Sequence, residues 1–317
     1  MKIAITGGTG FVGRHLAAEF GARGDDEAVV VSRRTGVEID DVDALAAALA
    51  GCDAVAHCAG INREIGSQTF QRVHVDGTAA VIEAAHRAGV RRIVLLSFLR
   101  ARPDCGSPYH ETKWAAEELV RVSGLDHTIL KSGMIYGPGD HMVDHVTKAV
   151  RTFPIFATVG FRERTVRPVA VDDAVDVLIA ALHGRIAEPT VAVMGAEELE
   201  LGAAVRRIAD LAGGHALYVP APLWSIRLLA RVAERVMVVP LVAKAQAMML
   251  GEGVSSPLPL APEPEPHLRP AHGLDPDRIR AALPEGGFTA RDLRVVAWLA
   301  RRRRLRSGTT VRPAGSH

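Results

Sequence analysis

The 317-residue chain carries 38 Lys and Arg against 36 Asp and Glu, a net charge of +2, and 48% of its residues are hydrophobic. That balance excludes a disordered chain and offers no basic field for nucleic acid, while the length suits one large domain or two moderate ones. Three scattered cysteines, Cys52, Cys58 and Cys105, form neither a disulfide framework nor a metal spacing, so a reducing cytoplasm is the expected compartment.

The amino end begins with a strand pattern, Lys2–Thr6, without the apolar stretch and cleavage site of a signal peptide. Thr6 to Gly13 then reads Thr-Gly-Gly-Thr-Gly-Phe-Val-Gly and opens a helix pattern, Val12–Arg23. A glycine-rich strand-to-helix turn brings bare backbone N–H groups and the positive end of a helix dipole to one point, which suits a phosphate. Gly7, Thr9, Gly10, Phe11, Val12 and Gly13 are therefore expected to hold the diphosphate of a dinucleotide. The second strand, Ala28–Ser32, ends in Arg33-Arg34 with no acid. Guanidinium groups match a ribose 2′-phosphate, so NADP(H) is expected over NAD(H), the alternative being a solvated arginine pair. Glu38 and Ile39 are expected to border the adenine, and Cys58, Ala59 and Gly60, closing a third strand Ala54–Cys58, to lie against the cofactor.

Helix patterns follow at Val42–Ala50, Thr69–Ala88 and Glu111–Ser123, with strands at Arg92–Ser97 and Thr128–Lys131. Short apolar runs alternating with amphipathic helices imply an α/β fold with a parallel sheet covered on both faces. Tyr109 and Lys113, four residues apart, share one helix face. An ammonium group beside a phenol favours the phenolate, so the pair suits acid–base work on a carbonyl or alcohol. Beyond residue 135 come a loop at Gly137–Asp140, helix patterns at Ala174–Leu182 and Leu201–Ala212, and a strand at Thr190–Met194. Asp172-Asp173 reads as a helix N-cap. His141 and His145 flank Asp144 at helical spacing with no third metal ligand in view, so they line a cleft or a polar face. Arg162, Arg164 and Arg167 form either a grip for a substrate anion or a solvated basic loop. The amphipathic stretch Leu223–Leu250 is interrupted by charges and Pro240, short of a membrane span, and suits a hydrophobic substrate pocket or a packing surface. Residues 256–270 are proline-rich and expected to be extended. A helix pattern at Ala290–Leu305, rich in arginine, packs on the domain or, less readily, touches an anionic membrane surface, and a polar tail follows.

These motifs together resemble the short-chain dehydrogenase/reductase superfamily, in its extended or atypical NAD(P)-dependent epimerase/dehydratase-like branch. The match runs over roughly residues 1–183 through Gly7/Gly10/Gly13, Asp53–Gly60, Val73–Thr78, Tyr109/Lys113, Ile135–Asp140 and Arg167–Asp173. Within the branch the chain looks similar to the NADPH-binding accessory subunit of respiratory complex I. The resemblance implies a doubly wound Rossmann sheet over residues 1–135, with 166–195 returning to it. The substrate region, smaller and mostly helical, would be 136–165 and 196–255, followed by a connector at 256–270 and a C-terminal helix and tail at 271–317. It also implies catalysis by Tyr109, Lys113 and Ser97, with Gly133 on the cofactor surface. The chain departs from the family pattern at His74, where asparagine is usual, at Lys131-Ser132, where Arg-Pro is frequent, and at Ser97, which stands one residue before the usual serine. The expected activity is hydride exchange between NADP(H) and a carbonyl or alcohol of a small, hydrophobic substrate. The alternatives are a non-catalytic NADP(H)-binding sensor or assembly subunit, and a sugar-nucleotide epimerase or dehydratase. A helix-paired homodimer is a further expectation of the resemblance; a metal is not.

Overall fold

A computed structural model describes residues 1–159, 164–214, 216–222, 224, 225, 228 and 252–289. Most of Leu223–Leu250, the Ala290–Leu305 pattern, the tail and Arg162 lie outside the described residues.

The first half alternates β1 (Lys2–Thr6), α1 (Phe11–Arg23), β2 (Glu27–Val31), α2 (Val42–Leu49), β3 (Ala54–His57), α3 (Gly77–Ala88), β4 (Arg92–Phe98), α4 (Pro108–Arg121) and β5 (Asp126–Ser132). Then come β6 (Ile135–Tyr136), α5 (His141–Thr152), β7 (Ile155–Val159), β8 (Thr165–Val166), β9 (Val169–Ala170), α6 (Val171–Leu182) and β10 (Thr190–Val193). The remainder is β11 (Leu199–Glu200), α7 (Leu201–Leu211), β12 (Leu217–Ala221) and α8 (Pro276–Ala282).

Six strands form one parallel sheet in the order β10-β5-β4-β3-β1-β2. The expected Rossmann-type α/β fold is therefore present. Its interior strands read as unbroken apolar runs because both faces are covered. Ile3, Ile5, Val94 and Leu130 pack on α1 and α6, while Val55, Ile93, Leu95 and Ile129 pack on α2, α3 and α4. The chain leaves β1 toward β2 on one side and reaches β3 on the other, so the sheet order reverses between β1 and β3, where α/β sheets bind ligands. All carboxyl ends meet one edge. A third apolar cluster there joins Phe98, Leu99 and Tyr109 to α5, α7 and α8.

Local chemistry sets the element ends. α1 buries Val12, Leu16 and Phe20 and closes at Gly24, whose φ of 72° is left-handed. Gly89 ends α3 in the same way, as the sequence implies, its N–H bonding Ala85 O and His86 O. The expected helix Thr69–Ala88 is regular only from Gly77, because Gln71–Asp76 is π-helical. α4 begins three residues before the expected Glu111, since Pro108 carries a preset φ and lacks the N–H that a first turn leaves unpaired. Asp172 and Asp173 do not cap α6. The cap is Ala170, and the two acids occupy the first turn instead. There they hold the C-terminal segment: Asp173 accepts from His272 N at 2.9 Å and His272 Nδ1 at 2.7 Å, and Asp172 pairs with Arg278. The proline-rich residues lie along the sheet edge, with Ala192 N donating to Pro262 O at 2.7 Å and Leu258 N to Leu99 O at 3.0 Å. Among the described residues no helix is long and apolar enough to cross a membrane.

Candidate active site

The glycine turn sits at the β1/β3 switch. Gly7 has a φ of 70°, and a Cβ there would stand 2.7 Å from Ala59 Cα, so the turn lies directly on the exit of β3. A Cβ on Gly13 would press on Gly7 O and stand 2.7 Å from Gly8 Cα. Gly10 differs: apart from Gly7 O at 3.0 Å, its Cβ position is open. It is the N-cap of α1, with no side-chain cap and no acid in the first turn. The first N–H groups of a helix have no intrahelical partner, so those of Phe11, Val12 and Gly13 line a cradle that a diphosphate fits. Arg14 Nη2 donates to Pro138 O at 2.5 Å and ties the 137–139 turn over this helix start, and a Cβ on Gly139 would strike that guanidinium. The variant Gly13→Ala is expected to lose dinucleotide binding and to melt several degrees lower, because backbone rather than a flexible side chain blocks its methyl group. Coenzyme titration and thermal melting check both effects.

At the first turn of α4, Tyr109 is boxed by rings. Its centroid lies 5.6 Å from Phe70, 5.6 Å from His74, 5.4 Å from Phe98 and 5.8 Å from His110, all edge-on. Burial raises its pKa above the ordinary phenol value. The expectation that Lys113 draws this pKa down is not met in the folded chain. Lys113 Nζ donates to Leu96 O at 3.1 Å instead, and desolvation alone sets the direction at Tyr109. Burial brings Lys113 itself down to about 8, opposed by Glu117 and Cys58. The same ammonium stands 3.2 Å from where a Cβ on Gly60 would lie, so Gly60 leaves it room beside the end of β3. Burial pushes the Cys58 thiol up to about 12, which makes it an inert wall.

His74 joins these parts. Ile61 N donates to its Nε2 at 3.2 Å, so the proton is on Nδ1, which donates to Thr112 Oγ1 at 3.0 Å. Thr112 in turn donates to Pro108 O at 2.6 Å. Burial, reinforced by Lys113, keeps His74 well below the ordinary imidazole pKa and hence neutral. Behind it, Thr78 Oγ1 donates to His74 O at 2.5 Å and accepts from His57 Nε2 at 2.9 Å, leaving His57 Nδ1 to accept from Thr6 Oγ1 at 2.6 Å. This buried chain runs from β1 through β3 to the π-helical turn and fixes α4 against the glycine loop. π-bulges recur at functional sites.

Ser97 is not part of that arrangement. Its hydroxyl donates to Glu117 Oε1 at 2.5 Å, within a buried cluster where Lys131 Nζ bonds both Glu117 oxygens at 2.9 and 3.0 Å. Strand register explains this. Ser97 is paired with Lys131 and faces Glu117 in the middle of α4 with it, whereas Phe98 reaches Tyr109 in the first turn of that helix. Ser132, in register with Phe98, has a buried hydroxyl without a hydrogen bond.

The other expected residues scatter. Arg33 and Arg34 are exposed in a short 3-10 turn after β2, and among the described residues neither guanidinium has a recorded partner. Ile39 packs on Gly77, and Glu38 lies 3.5 Å from Arg72. Gly133 sits beyond β5, its N–H on Val193 O. Arg167 donates to Gly195 O at 2.9 Å and pairs with Glu263 at 2.8 Å, so it ties the segments flanking β10 rather than a ligand. His141 and His145 lie in α5, their rings 5.9 Å apart, and no group of metal-holding side chains occurs among the described residues. Sequence reasoning missed Phe70, Thr112, His110 and Arg14. Only Phe70 carries a local signal, an aromatic four residues before His74.

Comparison with known proteins follows the same lines. The model of a family described as NAD dependent epimerase/dehydratase matches residues 3–194. The ceramide reductase of Caulobacter vibrioides is 32% identical over 191 residues, 56% of this chain and 60% of that protein. The UDP-2-acetamido-2,6-beta-L-arabino-hexul-4-ose reductase of Pseudomonas aeruginosa is 34% identical over 126 residues, 40% of this chain and 32% of that one. The chain thus spans less than two thirds of either relative. The solved UDP-glucose 4-epimerase of Thermus thermophilus, in complex with NAD, superposes with a TM-score of 0.63 at 21% identity, over 89% of this chain and 97% of that one.

Proposed function

This chain belongs to the NAD dependent epimerase/dehydratase family, and from that premise we propose that it is an NADP(H)-dependent oxidoreductase interconverting a carbonyl compound and its alcohol. The observation that carries the reading is the placement of Tyr109 and Lys113 on one buried face of α4, with Lys113 reaching the glycine at the end of β3. The dinucleotide, when bound, supplies or accepts hydride. The amides of Phe11, Val12 and Gly13 hold its diphosphate, Ile39 borders its adenine, and Lys113 is placed to bond ribose hydroxyls. Tyr109 gives its phenolic proton to the carbonyl oxygen or takes one from the alcohol, and the rings of Phe70 and Phe98 keep water from it. The names of both relatives quoted above, each a reductase, favour this direction of chemistry. The apolar cluster at the carboxyl edge favours a substrate with hydrophobic bulk. Purified protein mixed with NADPH and a panel of carbonyl compounds tests the reading. Tight coenzyme binding with no turnover of any compound counts against it.

Arg33 and Arg34 carry the preference for the 2′-phosphate. The double variant Arg33→Ala/Arg34→Ala is expected to weaken NADP+ binding about tenfold or more while leaving NAD+ binding unchanged, as loss of charge-assisted phosphate bonds implies. Equal weakening of both would remove the assignment. A second reading, a non-catalytic NADP(H)-binding subunit, is favoured by one observation, the commitment of the Ser97 hydroxyl to Glu117. Under it, Tyr109→Phe would leave the biological role intact.

A further inference from the structure

The loop between β4 and α4 places a second set of donors next to Tyr109. Phe98 packs on Tyr109 and also on His110, its ring 5.0 Å from the imidazole. Behind that ring Arg100, Arg102 and His110 converge on a single atom, Glu252 Oε2. The distances are 3.5 Å from Arg100 Nε, 2.9 Å from Arg102 Nη2 and 3.8 Å from His110 Nε2. Only the Arg102 contact is a hydrogen bond. Arg100 Nε and His110 Nε2 are buried without one, and His110 is 0% exposed. Ser107 Oγ–H can donate to His110 Nδ1, which puts the ring proton on Nε2; in that tautomer Arg100 Nε and His110 Nε2 are two buried donors without partners facing one point, an arrangement that is costly and that folded chains keep rarely. Burial, with Arg102 and Arg164 nearby, lowers the pKa of Arg100, and Glu252 opposes that fall. Arg100 and Arg102 bring two positive charges and Glu252 one negative, so a net positive charge faces this point. One carboxylate oxygen is too small an acceptor for three donors spread around it, whereas a tetrahedral oxyanion presents an oxygen to each.

We propose that Arg100, Arg102 and His110 form a receptor for a phosphoryl group on the substrate, and that Glu252 holds this place until the substrate displaces it. The inference deepens the functional reading above by giving the carbonyl compound an anionic group beside its hydrophobic part, and its role in substrate choice rests on that reading. Binding of the anion itself does not. His110 Nδ1 lies 2.6 Å from Ser107 Oγ, which holds the ring with Nε2 toward the anion. Cys105 N and Gly106 N both donate to Glu111 Oε1, at 3.0 and 2.7 Å, and this brace fixes the loop that carries the arginines.

The test is calorimetric titration of the full chain, saturated with NADP+, with inorganic phosphate, sulfate and acetate at constant ionic strength. Phosphate is expected to bind, sulfate comparably, and acetate about tenfold more weakly, because it presents too few oxygens. Glu252→Gln is expected to tighten phosphate about tenfold by removing the competitor, and Arg100→Gln to weaken it by at least as much. Arg102→Lys keeps the charge without the fork and is expected to fall between. Coenzyme titration of each variant reports folding and an intact glycine turn. No phosphate binding to wild type or Glu252→Gln, or binding that Arg100→Gln leaves unchanged, overturns the proposal. Phosphate binding that responds to these variants in a chain that binds no coenzyme would keep the anion receptor and remove the oxidoreductase reading.

Discussion

Tyr109→Phe is expected to lower turnover by about 10²–10⁴-fold, the range for loss of a positioned acid–base group, with coenzyme affinity unchanged. The two readouts separate because the phenolic oxygen is the only atom removed. The ring still fills the box made by Phe70, His74, Phe98 and His110, so packing and stability are conserved. The pH profile adds a second check. Burial raises the Tyr109 pKa and lowers that of Lys113 to about 8. Below that value the ammonium is charged and donates to the ribose hydroxyls as a cation, and above it that charge-assisted hold on the coenzyme is gone. For the free enzyme, kcat/KM is expected to fall as pH rises through about 8, and the variant Lys113→Met is expected to lose that inflection together with most of its rate. A flat profile in the wild type across this region would remove Lys113 from its role.

The sheet and the glycine turn are legible in the sequence because each is dictated locally. Ile3-Ala4-Ile5 and Val29-Val30-Val31 admit few structures other than strands of a covered sheet, and Gly7 and Gly13 stand where backbone meets backbone. The Tyr109–Lys113 spacing is local for the same reason. What failed depends on facing. Ser97 is a hydroxyl at the expected strand end, yet the two-residue period of a strand turns it with Lys131 toward Glu117 in the middle of α4, and Phe98 reaches Tyr109 in the first turn of that helix. A lysine inside an apolar strand and a glutamate on the buried stripe of α4 were the available signal, since neither charge is stable alone in a core. His74, Thr112 and Ile61 meet only through tertiary contact and a π-helical turn that helical periodicity does not reveal. The latch of Asp172 and Asp173 on residues 272–278 spans about a hundred positions, beyond the reach of any local pattern.

The Glu117 cluster yields the largest expected change in stability. Glu117 is 0% exposed and Lys131 1%. Burial lowers the Lys131 pKa while Glu117 holds it up, and Lys131 Nζ bonds Ala101 O as well as both carboxylate oxygens. Arg121 closes the pair from the solvent side at 2.8 Å. Glu117→Leu leaves an ammonium in the core and removes the acceptor of Ser97, so a loss of about 3–5 kcal/mol in urea unfolding is expected. The double variant Glu117→Leu/Lys131→Met removes both charges at similar volume and is expected to recover most of that loss, because a hydrophobic replacement of a buried ion pair is often neutral. A double variant no more stable than the single would show that shape, not uncompensated charge, dominates. The cluster also anchors the middle of α4, eight residues beyond Tyr109 and four beyond Lys113. If its role is only to position that helix, the recovered double variant keeps wild-type coenzyme affinity and turnover, and the single variant loses both in step with its folded fraction. A double variant that is stable yet slow would instead mean that the charge of the cluster, acting through Lys113, contributes to the chemistry at Tyr109.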